Sequence, residues 1–355
     1  MTSLTSHPSF STSRPQGNGL ANIGNTCYLN SAIQALRHAR PFADYFKGSA
    51  WSAHMRPDRP GYNMTAETAT LVAALCEKSP AAPKMIIPGK FVKEFVTFAH
   101  EINEEIHHGA QADAAEAVHI LLDGLHMQLA REVNMTIRGK ATTPETEEYI
   151  KSLESWSTFF NKEYSPLIQT FYGQTQTRVV CERCSTSSSR YEPWNILKLP
   201  IPGAEKPGAS APTLRECMMA AFATEKLDDY ACETCKSKGA ARMEHSLSKL
   251  PSHLILSLNR FTNEGKKVRA KIPYDETNID MGDWLSWASL KLPGSTQYRV
   301  YATIEHMGSS RGGHYIMRAR EGTDWLIYDD ASVSHSPIGG AAGPDTYVLF
   351  LERKE

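Results

Sequence analysis

The sequence lacks any long apolar run. Its hydrophobic stretches are short, such as Leu71 to Cys76 and Leu254 to Leu256, whereas crossing a bilayer takes roughly 18 consecutive apolar residues. It also lacks an excess of charge of either sign, since 38 Lys and Arg stand against 39 Asp and Glu and leave a formal net charge of −1. Without a broad basic field, binding to a nucleic-acid backbone is disfavoured. We expect a soluble protein that binds neither membranes nor nucleic acid.

Cysteine is sparse for a chain of 355 residues, which contains seven of them. Disulfide frameworks are typical of much shorter secreted chains with even numbers of cysteines, so structural bridges are not expected. The segment 1–17 is rich in Ser, Thr and Pro, has Arg14 as its only formally charged side chain and contains no apolar secretory signal. We interpret it as a disordered tail. A reducing compartment, the cytosol or the nucleus, is expected.

Helical periodicity dominates from about Leu20 to Tyr164, and strand-like segments dominate from Ser165 onward. A third helix is predicted to begin at the cap Thr143 and to end at Pro166. The predicted buried helical stripes are Phe91, Phe95, Phe98, Ile102 and Ile106; Val118, Leu121, Leu122, Leu125 and Leu129; and Ile150, Leu153, Trp156 and Phe160. The predicted strands are 167–180, 190–199, 253–261 and 298–304. This order indicates an α+β fold in which most helices precede most strands.

Two segments in the second half of the chain are predicted to have no catalytic or binding role. The segment from Pro202 to Pro212, rich in Pro, Gly and Ala, predicts a flexible connection. A basic run alternates in a way that suits the solvated face of a strand pair better than a nucleic-acid patch. This run consists of Lys266, Lys267, Arg269 and Lys271.

Two CxxC pairs are the strongest local motif. Cys181 and Cys184 form the first pair, and Cys232 and Cys235 form the second after a long spacer. Four thiolates can close a tetrahedral zinc site that leaves no position for water, so such an ion serves structure rather than catalysis. The alternatives are unrelated free thiols or a redox CxxC, although a thioredoxin-like motif needs only one pair. We expect one structural zinc ion, held by two hairpins that meet at their tips.

A candidate nucleophile, Cys27, is predicted in the first turn of a helix. An apolar stripe follows it, and either Asn25 or Thr26 can cap the helix. The positive end of the helix dipole is expected to lower the pKa of the thiol. A cysteine at a helix start is by itself more often inert core than a catalyst, so the interpretation requires a base and an orienting group elsewhere.

Two later segments contain such groups, with His314 after two glycines in the first and adjacent aspartates, Asp329 and Asp330, in the second. A turn centred on 321–322 would place His314 directly opposite Asp329. A shift of register would favour Asp330 or Tyr328, so the pattern does not choose between the aspartates. In this arrangement an aspartate orients the imidazole, and His314 takes the thiol proton.

Asn22 lies shortly before Cys27 and could donate its side-chain amide to an oxyanion, beside the backbone N–H of Cys27. The alternatives are plain: Asn22 can simply shape a turn, and a glycine-flanked histidine can simply end a strand. The joint occurrence of these residues favours the catalytic interpretation.

Together the motifs resemble the ubiquitin-specific peptidases, papain-like cysteine peptidases that remove ubiquitin from proteins. The resemblance extends from Gly19 to Leu351. It is carried by the box GLANIGNTCYLNSAIQAL, the QADAAE element at 111–116, the paired CxxC motifs, HLILSLNRF, GGHY and WLIYDDASV. It implies a papain-like fold with a helical thumb at about 18–165, zinc-stabilised β fingers at about 170–250 and an antiparallel palm sheet in the remainder to 355. The implied reaction cleaves the bond after the terminal glycine of ubiquitin through a thioester acyl-enzyme.

The resemblance also assigns roles by position. Cys27 is the implied nucleophile, His314 the base, Asp329 the third member, Asn22 the oxyanion donor and Asp330 a supporting carboxylate. The candidate substrate-binding residues are Asp113, Glu116, Tyr28, His306 and Tyr315.

Asp113 resembles the acidic residue that holds the arginine-bearing tail of ubiquitin, although Asp113 and Glu116 can also simply favour a helix dipole. Residues 307–313 correspond to a mobile loop over the tail channel. The expected partners are ubiquitin and ubiquitinated proteins, bound by a monomer. A peptidase for a ubiquitin-like modifier and a catalytically silent ubiquitin-binding module are the alternatives.

Overall fold

The structure is a computed structural model that describes residues 17–77, 84–203, 210–262, 264–289, 294–309, 312–337 and 342–355. The predicted tail, except Gly17, and 204–209 of the predicted Pro202–Pro212 connection lie outside this description. The helices are Cys27–His38 (α1), Arg40–Lys47 (α2), Ala50–His54 (α3), Tyr62–Leu75 (α4), Gly89–His100 (α5), Ala114–Leu129 (α6), Pro144–Phe160 (α7), Pro166–Phe171 (α8) and Leu214–Ala221 (α9).

The strands are mostly in the second half of the chain. They are Gly19–Leu20 (β1), Met85–Ile86 (β2), Gly173–Cys181 (β3), Ser187–Trp194 (β4), Leu197–Leu199 (β5), Glu225–Ala231 (β6), Lys238–Lys249 (β7), His253–Leu258 (β8), Ile279–Asp280 (β9), Gln297–Ser309 (β10), Gly312–Glu321 (β11), Asp324–Asp329 (β12), Ser332–His335 (β13) and Thr346–Arg353 (β14). The predicted α+β order is confirmed.

The helical stripes are confirmed in part. All five stripe residues of α6 are buried, as are the three phenylalanines of α5. Ile102 is 57% exposed, because α5 ends at His100 before the stripe is complete. Thr143 caps α7 as predicted, but the buried positions of this helix are Glu148, Ser152, Trp156 and Phe160, whereas Ile150 and Leu153 are half-buried.

Pro166 begins a helix instead of ending one. Helix α7 already ends at Phe160, and Pro166 occupies the first turn of α8, where its missing N–H costs no hydrogen bond. The strand predicted at 167–180 is therefore wrong up to Phe171, and β3 begins only at Gly173.

Two sheets organise the second half. The larger has the order β13-β12-β11-β10-β14-β8-β5, with β9 paired to β10, and the smaller has the order β4-β3-β7-β6. The strand predicted at 190–199 is divided between them, since β4 belongs to the smaller sheet and β5 to the larger. Within the described residues, the strand pairings in these two sheets are antiparallel, except that of β5 with β8, which is parallel.

The central strands of the larger sheet, β10, β14 and β8, are buried on both faces. Along β14, Val348 and Phe350 pack in the core shared with the helices, while Leu349 and Leu351 pack in a second core with α9, as the alternation of side chains along a strand requires. Helix α1 packs against β11, so its first residue, Cys27, lies near the strand that begins with the histidine motif. Within the described residues, no helix is long and apolar enough to span a membrane.

Candidate active site and metal centre

The loop before α1 is fixed mainly by Asn22. Its side-chain oxygen accepts hydrogen bonds from the backbone N–H groups of Gly24 (3.2 Å) and Thr26 (3.1 Å). Thr26 occupies the N-cap position, but its side chain forms no capping bond and instead accepts from the N–H of Ile23. Asn25 adopts a left-handed conformation with φ of 56°. The predicted side-chain cap is therefore wrong, and Asn22 shapes this turn.

Cys27 is the first residue of α1, as predicted, and is 4% exposed. Burial raises the pKa of its thiol above the ordinary value, and the negative charge of Asp330 raises it further. Hydrogen bonds from the backbone of Tyr315 and Tyr28 oppose this shift without reversing it. The backbone N–H groups at the start of α1 do lower the pKa, as expected, but burial outweighs them and the expected net lowering is wrong. A largely protonated thiol needs a base before it can act as a nucleophile.

His314 and Asp329 are in direct contact. The distance from His314 Nε2 to Asp329 Oδ1 is 2.6 Å. Because a carboxylate only accepts, this bond places the imidazole proton on Nε2 and leaves Nδ1 as the acceptor in the neutral ring. Tyr315, whose backbone contacts the thiol of Cys27, follows His314 directly in the chain.

The register of the two strands differs from the prediction. Glu321 pairs with Asp324, so the turn consists of Gly322 and Thr323 and the pairing is shifted by two residues. Direct opposition of His314 and Asp329 is therefore wrong. A shift of two residues keeps every side chain on the same face, which is why the imidazole and the carboxylate still meet.

The structure gives the two aspartates different contacts. Asp330 has a left-handed backbone with φ of 49°, and its carboxylate accepts from the side-chain amides of Asn22 (2.9 Å) and Asn30 (2.7 Å). Asp329 contacts His314, whereas Asp330 holds the predicted oxyanion donor. A primary amide has two N–H groups, so the bond to Asp330 leaves one on Asn22 for a substrate.

Asn30 was missed by the sequence analysis. It is 3% exposed within α1, and a buried amide on a helix requires a polar partner. An asparagine among apolar helix residues is the sequence signal that could have identified Asn30.

Asp113 caps a helix and also faces a cleft. One carboxylate oxygen accepts from the N–H groups of Ala115 (2.7 Å) and Glu116 (3.0 Å) at the start of α6, and the other accepts from the Tyr347 hydroxyl at 2.5 Å. Asp113, Glu116 and Glu105 line a cleft of about 460 Å³. The simpler interpretation, that Asp113 favours a helix dipole, is thus correct but incomplete, because the same carboxylate also contributes to an acidic cleft.

The other predicted substrate contacts divide into two groups. His306 and Tyr315 line the same acidic cleft, with ring centroids 4.6 Å apart. Burial, assisted by the charge of Lys267, lowers the pKa of His306 to about 4, so its ring is neutral near pH 7. Tyr28 is 2% exposed and packs in the core shared by the helices and the larger sheet, so the structure does not bring it to the cleft.

The segment predicted as a loop at 307–313 is strand wherever it is described. Strands β10 and β11 continue through Ser309 and from Gly312, and Gly308 pairs with Gly313; residues 310–311 lie outside the description. A Cβ atom at Gly313 would lie 2.3 Å from His306 Nε2, so this close approach requires glycine. Gln111 holds the same strand, since its side-chain amide accepts from the N–H of Gly313 (3.2 Å) and donates to its carbonyl (3.3 Å).

The basic run beside this hairpin is not simply solvated. The side chain of Lys267 is 3% exposed; its ammonium group lies 2.7 Å from Asp345 Oδ1 and also donates to the carbonyl of His306. Arg269 donates to the carbonyl of Gly308 at 2.8 Å. The predicted solvated face is therefore wrong for Lys267, and this segment holds the end of β10 beside the acidic cleft. The alternation of basic residues along this segment does not indicate that the side chain of Lys267 is buried against a carboxylate.

The four cysteines of the CxxC pairs come together at the tips of two hairpins, as predicted. Their sulfur atoms lie within 4.8 Å of one another, with 3.9 Å from Cys181 to Cys235 and 3.6 Å from Cys184 to Cys232. Sulfur atoms at about 2.3 Å from a tetrahedral zinc ion would be about 3.8 Å apart. The arrangement therefore fits a metal ion with four thiolate ligands.

The two cysteine turns share one backbone design. The N–H of Cys181 bonds to the carbonyl of Thr186 (3.0 Å), and that of Cys232 bonds to the carbonyl of Ser237 (2.9 Å). The residue after the second cysteine of each pair, Ser185 or Lys236, has a positive φ. Hydrogen bonds from Ser237 lower the pKa of Cys235 to about 6, which favours the thiolate form that metal binding needs.

Comparisons with known proteins agree with this geometry. The profile of a family described as ubiquitin carboxyl-terminal hydrolase matches residues 18–351. Ubiquitin carboxyl-terminal hydrolase 21 of Rattus norvegicus is 28% identical over 355 residues, covering 94% of this chain and 61% of the relative. Ubiquitin carboxyl-terminal hydrolase 2 of Homo sapiens is 29% identical over 350 residues, covering 94% and 54%. The chain thus spans little more than half the length of these curated relatives.

Solved structures share the fold. A SAGA DUB module of Ubp8, Sgf11, Sus1 and Sgf73 bound to monoubiquitin has a TM-score of 0.72 at 23% identity, covering 99% of this chain and 72% of that chain. The module bound to ubiquitin aldehyde has a TM-score of 0.71 at 22% identity, covering 95% and 70%. These likenesses confirm the predicted fold class.

Proposed function

Because the chain belongs to the ubiquitin carboxyl-terminal hydrolase family, we propose that it is a cysteine-dependent deubiquitinase. Its substrates are ubiquitinated proteins, and it hydrolyses the bond after the C-terminal glycine of ubiquitin. The observation that carries this proposal is the 2.6 Å contact between His314 and Asp329, beside a buried cysteine at a helix start. A silent binding module would have no need of a base poised in this way.

The chemistry begins with the raised pKa of Cys27. His314 Nδ1 takes the thiol proton, and the sulfur attacks the carbonyl carbon of the terminal glycine. The Asp329 carboxylate stabilises the imidazolium that forms. The oxyanion accepts hydrogen bonds from the backbone N–H of Cys27 and from the remaining amide N–H of Asn22, which Asp330 holds in place.

The intermediate then collapses to a thioester. His314 gives its proton to the leaving amine, which departs as the carbon–nitrogen bond breaks. Water next attacks the thioester with His314 as the base, which releases the carboxylate of ubiquitin and restores the thiol of Cys27. Atoms and charge balance without any redox partner.

The acidic cleft supports ubiquitin as the substrate. The resemblance implies a tail that carries arginines and ends in two glycines, and the carboxylates of Glu105, Asp113 and Glu116 provide acceptors for arginine side chains. The close approach of Gly313 to His306 suits a chain end without side chains.

We also infer that the four cysteines hold zinc. Thiolate ligands in a tetrahedral set favour zinc over the hard cations, and a closed set of four gives the ion a structural role. The ion would fix the turns of the β3–β4 and β6–β7 hairpins, and so the outer part of the smaller sheet. The chemistry at Cys27 would proceed without contact with it.

The cellular location is part of the proposal. Seven cysteines without a disulfide suit a reducing compartment. We propose the cytosol, the nucleus or both, which can be checked by imaging the tagged full chain.

The test is intact mass spectrometry after mixing the protein with ubiquitin that bears a thiol-reactive electrophile at its C-terminus. We expect one covalent adduct with the wild type and none with Cys27→Ala, while Cys76→Ala, which removes a half-buried thiol outside the site, should react normally. Equally armed SUMO is run in parallel. An adduct with SUMO alone would mean that the substrate modifier is a ubiquitin-like protein and not ubiquitin. An adduct that persists in Cys27→Ala would contradict the mechanism.

A further inference from the structure

A second cleft, of about 600 Å³, lies where α7 and α8 meet the ends of β7 and β14. It is remote from the acidic cleft, and strand β14 connects the two. Tyr347, near the start of this strand, contacts Asp113, whereas Arg353 is its last residue and lines the second cleft. At about 3.4 Å per residue, the two positions are on the order of 20 Å apart. The proposed catalytic chemistry does not use this second cleft.

The second cleft is basic and contains no acid among its described lining residues. Lys249 and Arg353 both line it, and neither forms an ion pair with any described carboxylate. The ammonium group of Lys249 lies 4.8 Å from the ring centroid of Trp156. Lys249 remains partly exposed to solvent, and desolvation beside Trp156, followed by the charge of Arg353, lowers its pKa. Two cations thus face one space without a counter-charge, an arrangement that an anion would stabilise.

Neutral donors converge on the same space. Tyr149, Tyr164 and Gln169 line the cleft, and their side chains have no hydrogen-bond partner in the part of the chain that the structure describes. Two phenol groups, an amide, a guanidinium and an ammonium therefore present N–H and O–H groups that form no hydrogen bond within the described residues. A cleft in which donors outnumber acceptors selects a ligand rich in acceptor oxygens.

We propose that this second cleft binds a phosphate-bearing small ligand, with Lys249 and Arg353 on its phosphate oxygens. A phosphate group offers several acceptor oxygens and negative charge, and the planar fork of arginine matches two of those oxygens at once. Inorganic phosphate and phosphate monoesters share this chemistry. The volume and the aromatic side chains of Tyr149, Trp156 and Tyr164 favour an ester whose organic part packs beside the rings.

The test is isothermal titration calorimetry on the zinc-loaded full chain with inorganic phosphate and with phenyl phosphate, at constant ionic strength set with chloride. We expect saturable binding of one equivalent, with a loss of about tenfold or more in affinity for the double variant Lys249→Gln, Arg353→Gln. Lys162→Gln is the matched control, because this exposed lysine near the end of α7 does not line the cleft. Tighter binding of phenyl phosphate than of phosphate identifies an ester as the ligand; equal affinities identify the free ion.

Two results would overturn the proposal: the absence of saturable binding in the wild type, or equal affinities in the wild type and the double variant. Circular dichroism and ubiquitin cleavage check that the double variant is folded. Should it fail to fold, Tyr164→Phe removes a single donor and is expected to weaken binding a few-fold without altering cleavage. Unchanged affinity in this variant would then contradict the role assigned to the converging donors. Because the binding assay needs no ubiquitin, its outcome is independent of the proposed deubiquitinase activity.

Discussion

The chain contains two thiol centres that are built in opposite ways. Cys27 is a single buried thiol whose pKa is raised by burial, and it depends on groups from the far end of the chain. The four finger cysteines lie in two similar turns, in which local hydrogen bonds favour thiolates at Cys184 and Cys235. In the cysteine turns, residues close in the chain shift the thiol pKa. At Cys27, the thiol pKa and the base that would take its proton depend on residues from distant parts of the chain.

The largest expected effect is at the partners of Cys27. Asp329→Ala removes the carboxylate that orients His314, and the rate of ubiquitin cleavage should fall on the order of 10²–10⁴-fold. The rate of ubiquitin cleavage should fall by no more than this in Asp330→Ala, because Asp330 contacts Asn22 and Asn30 instead of His314. Steady-state kinetics separates them: we expect the larger loss of kcat for Asp329→Ala, because only Asp329 contacts His314. A larger loss of kcat in Asp330→Ala would instead assign the orienting role to Asp330.

The second test concerns the proton on Cys27. Because burial raises the pKa of this thiol, the reactive thiolate is scarce at neutral pH in the free enzyme. The rate of alkylation at Cys27 by iodoacetamide should therefore rise about tenfold per pH unit, or about 100-fold from pH 7 to pH 9. Peptide mapping by mass spectrometry measures the extent of alkylation at Cys27 over time. A plateau that begins below pH 8 would instead support a thiol with a lowered pKa.

The third test removes one ligand from the centre formed by Cys181, Cys184, Cys232 and Cys235. Cys232→Ser leaves three thiolates, and we expect the two hairpin turns to lose their fixed structure and KM for ubiquitin to rise about tenfold. Alkylation of Cys27 should be unchanged, since the two centres are independent. Glu233→Gln, between the two ligands of that turn, is the control and should retain one zinc ion by elemental analysis. Absence of zinc from the purified wild type would contradict the assignment of the metal.

The smallest expected effect is at the basic run beside the acidic cleft. Lys267→Met removes the contacts to Asp345 and to the carbonyl of His306, so the end of β10 should be held less firmly and KM should rise a few-fold with little change in kcat. Lys266→Met is the matched control, since the side chain of Lys266 is 77% exposed. Equal kinetics in the two variants would show that the buried contact is not needed to position this strand.

The sequence was informative wherever a feature depends on residues close together in the chain. The start of α7 at Thr143, the apolar stripe of α6 and the two cysteine turns follow from local hydrogen bonding and periodicity. The predictions were wrong where a neighbour from elsewhere decides. An example is the strand at 190–199, which is divided between two sheets. Pro166 was predicted wrongly for a local reason, because proline suits the first turn of a helix as well as the end of one.

The candidate site shows the same division. Residue types and motif spacing identified Cys27, His314 and the aspartate pair, because nucleophile, base and carboxylate are recognisable as chemical groups. Tertiary structure alone decided the register of β11 and β12, the separate contacts of Asp329 and Asp330, and the pKa of Cys27. The physical reason is that burial and electrostatic neighbours depend on which distant segments pack together, and that packing is not encoded in any short stretch of sequence.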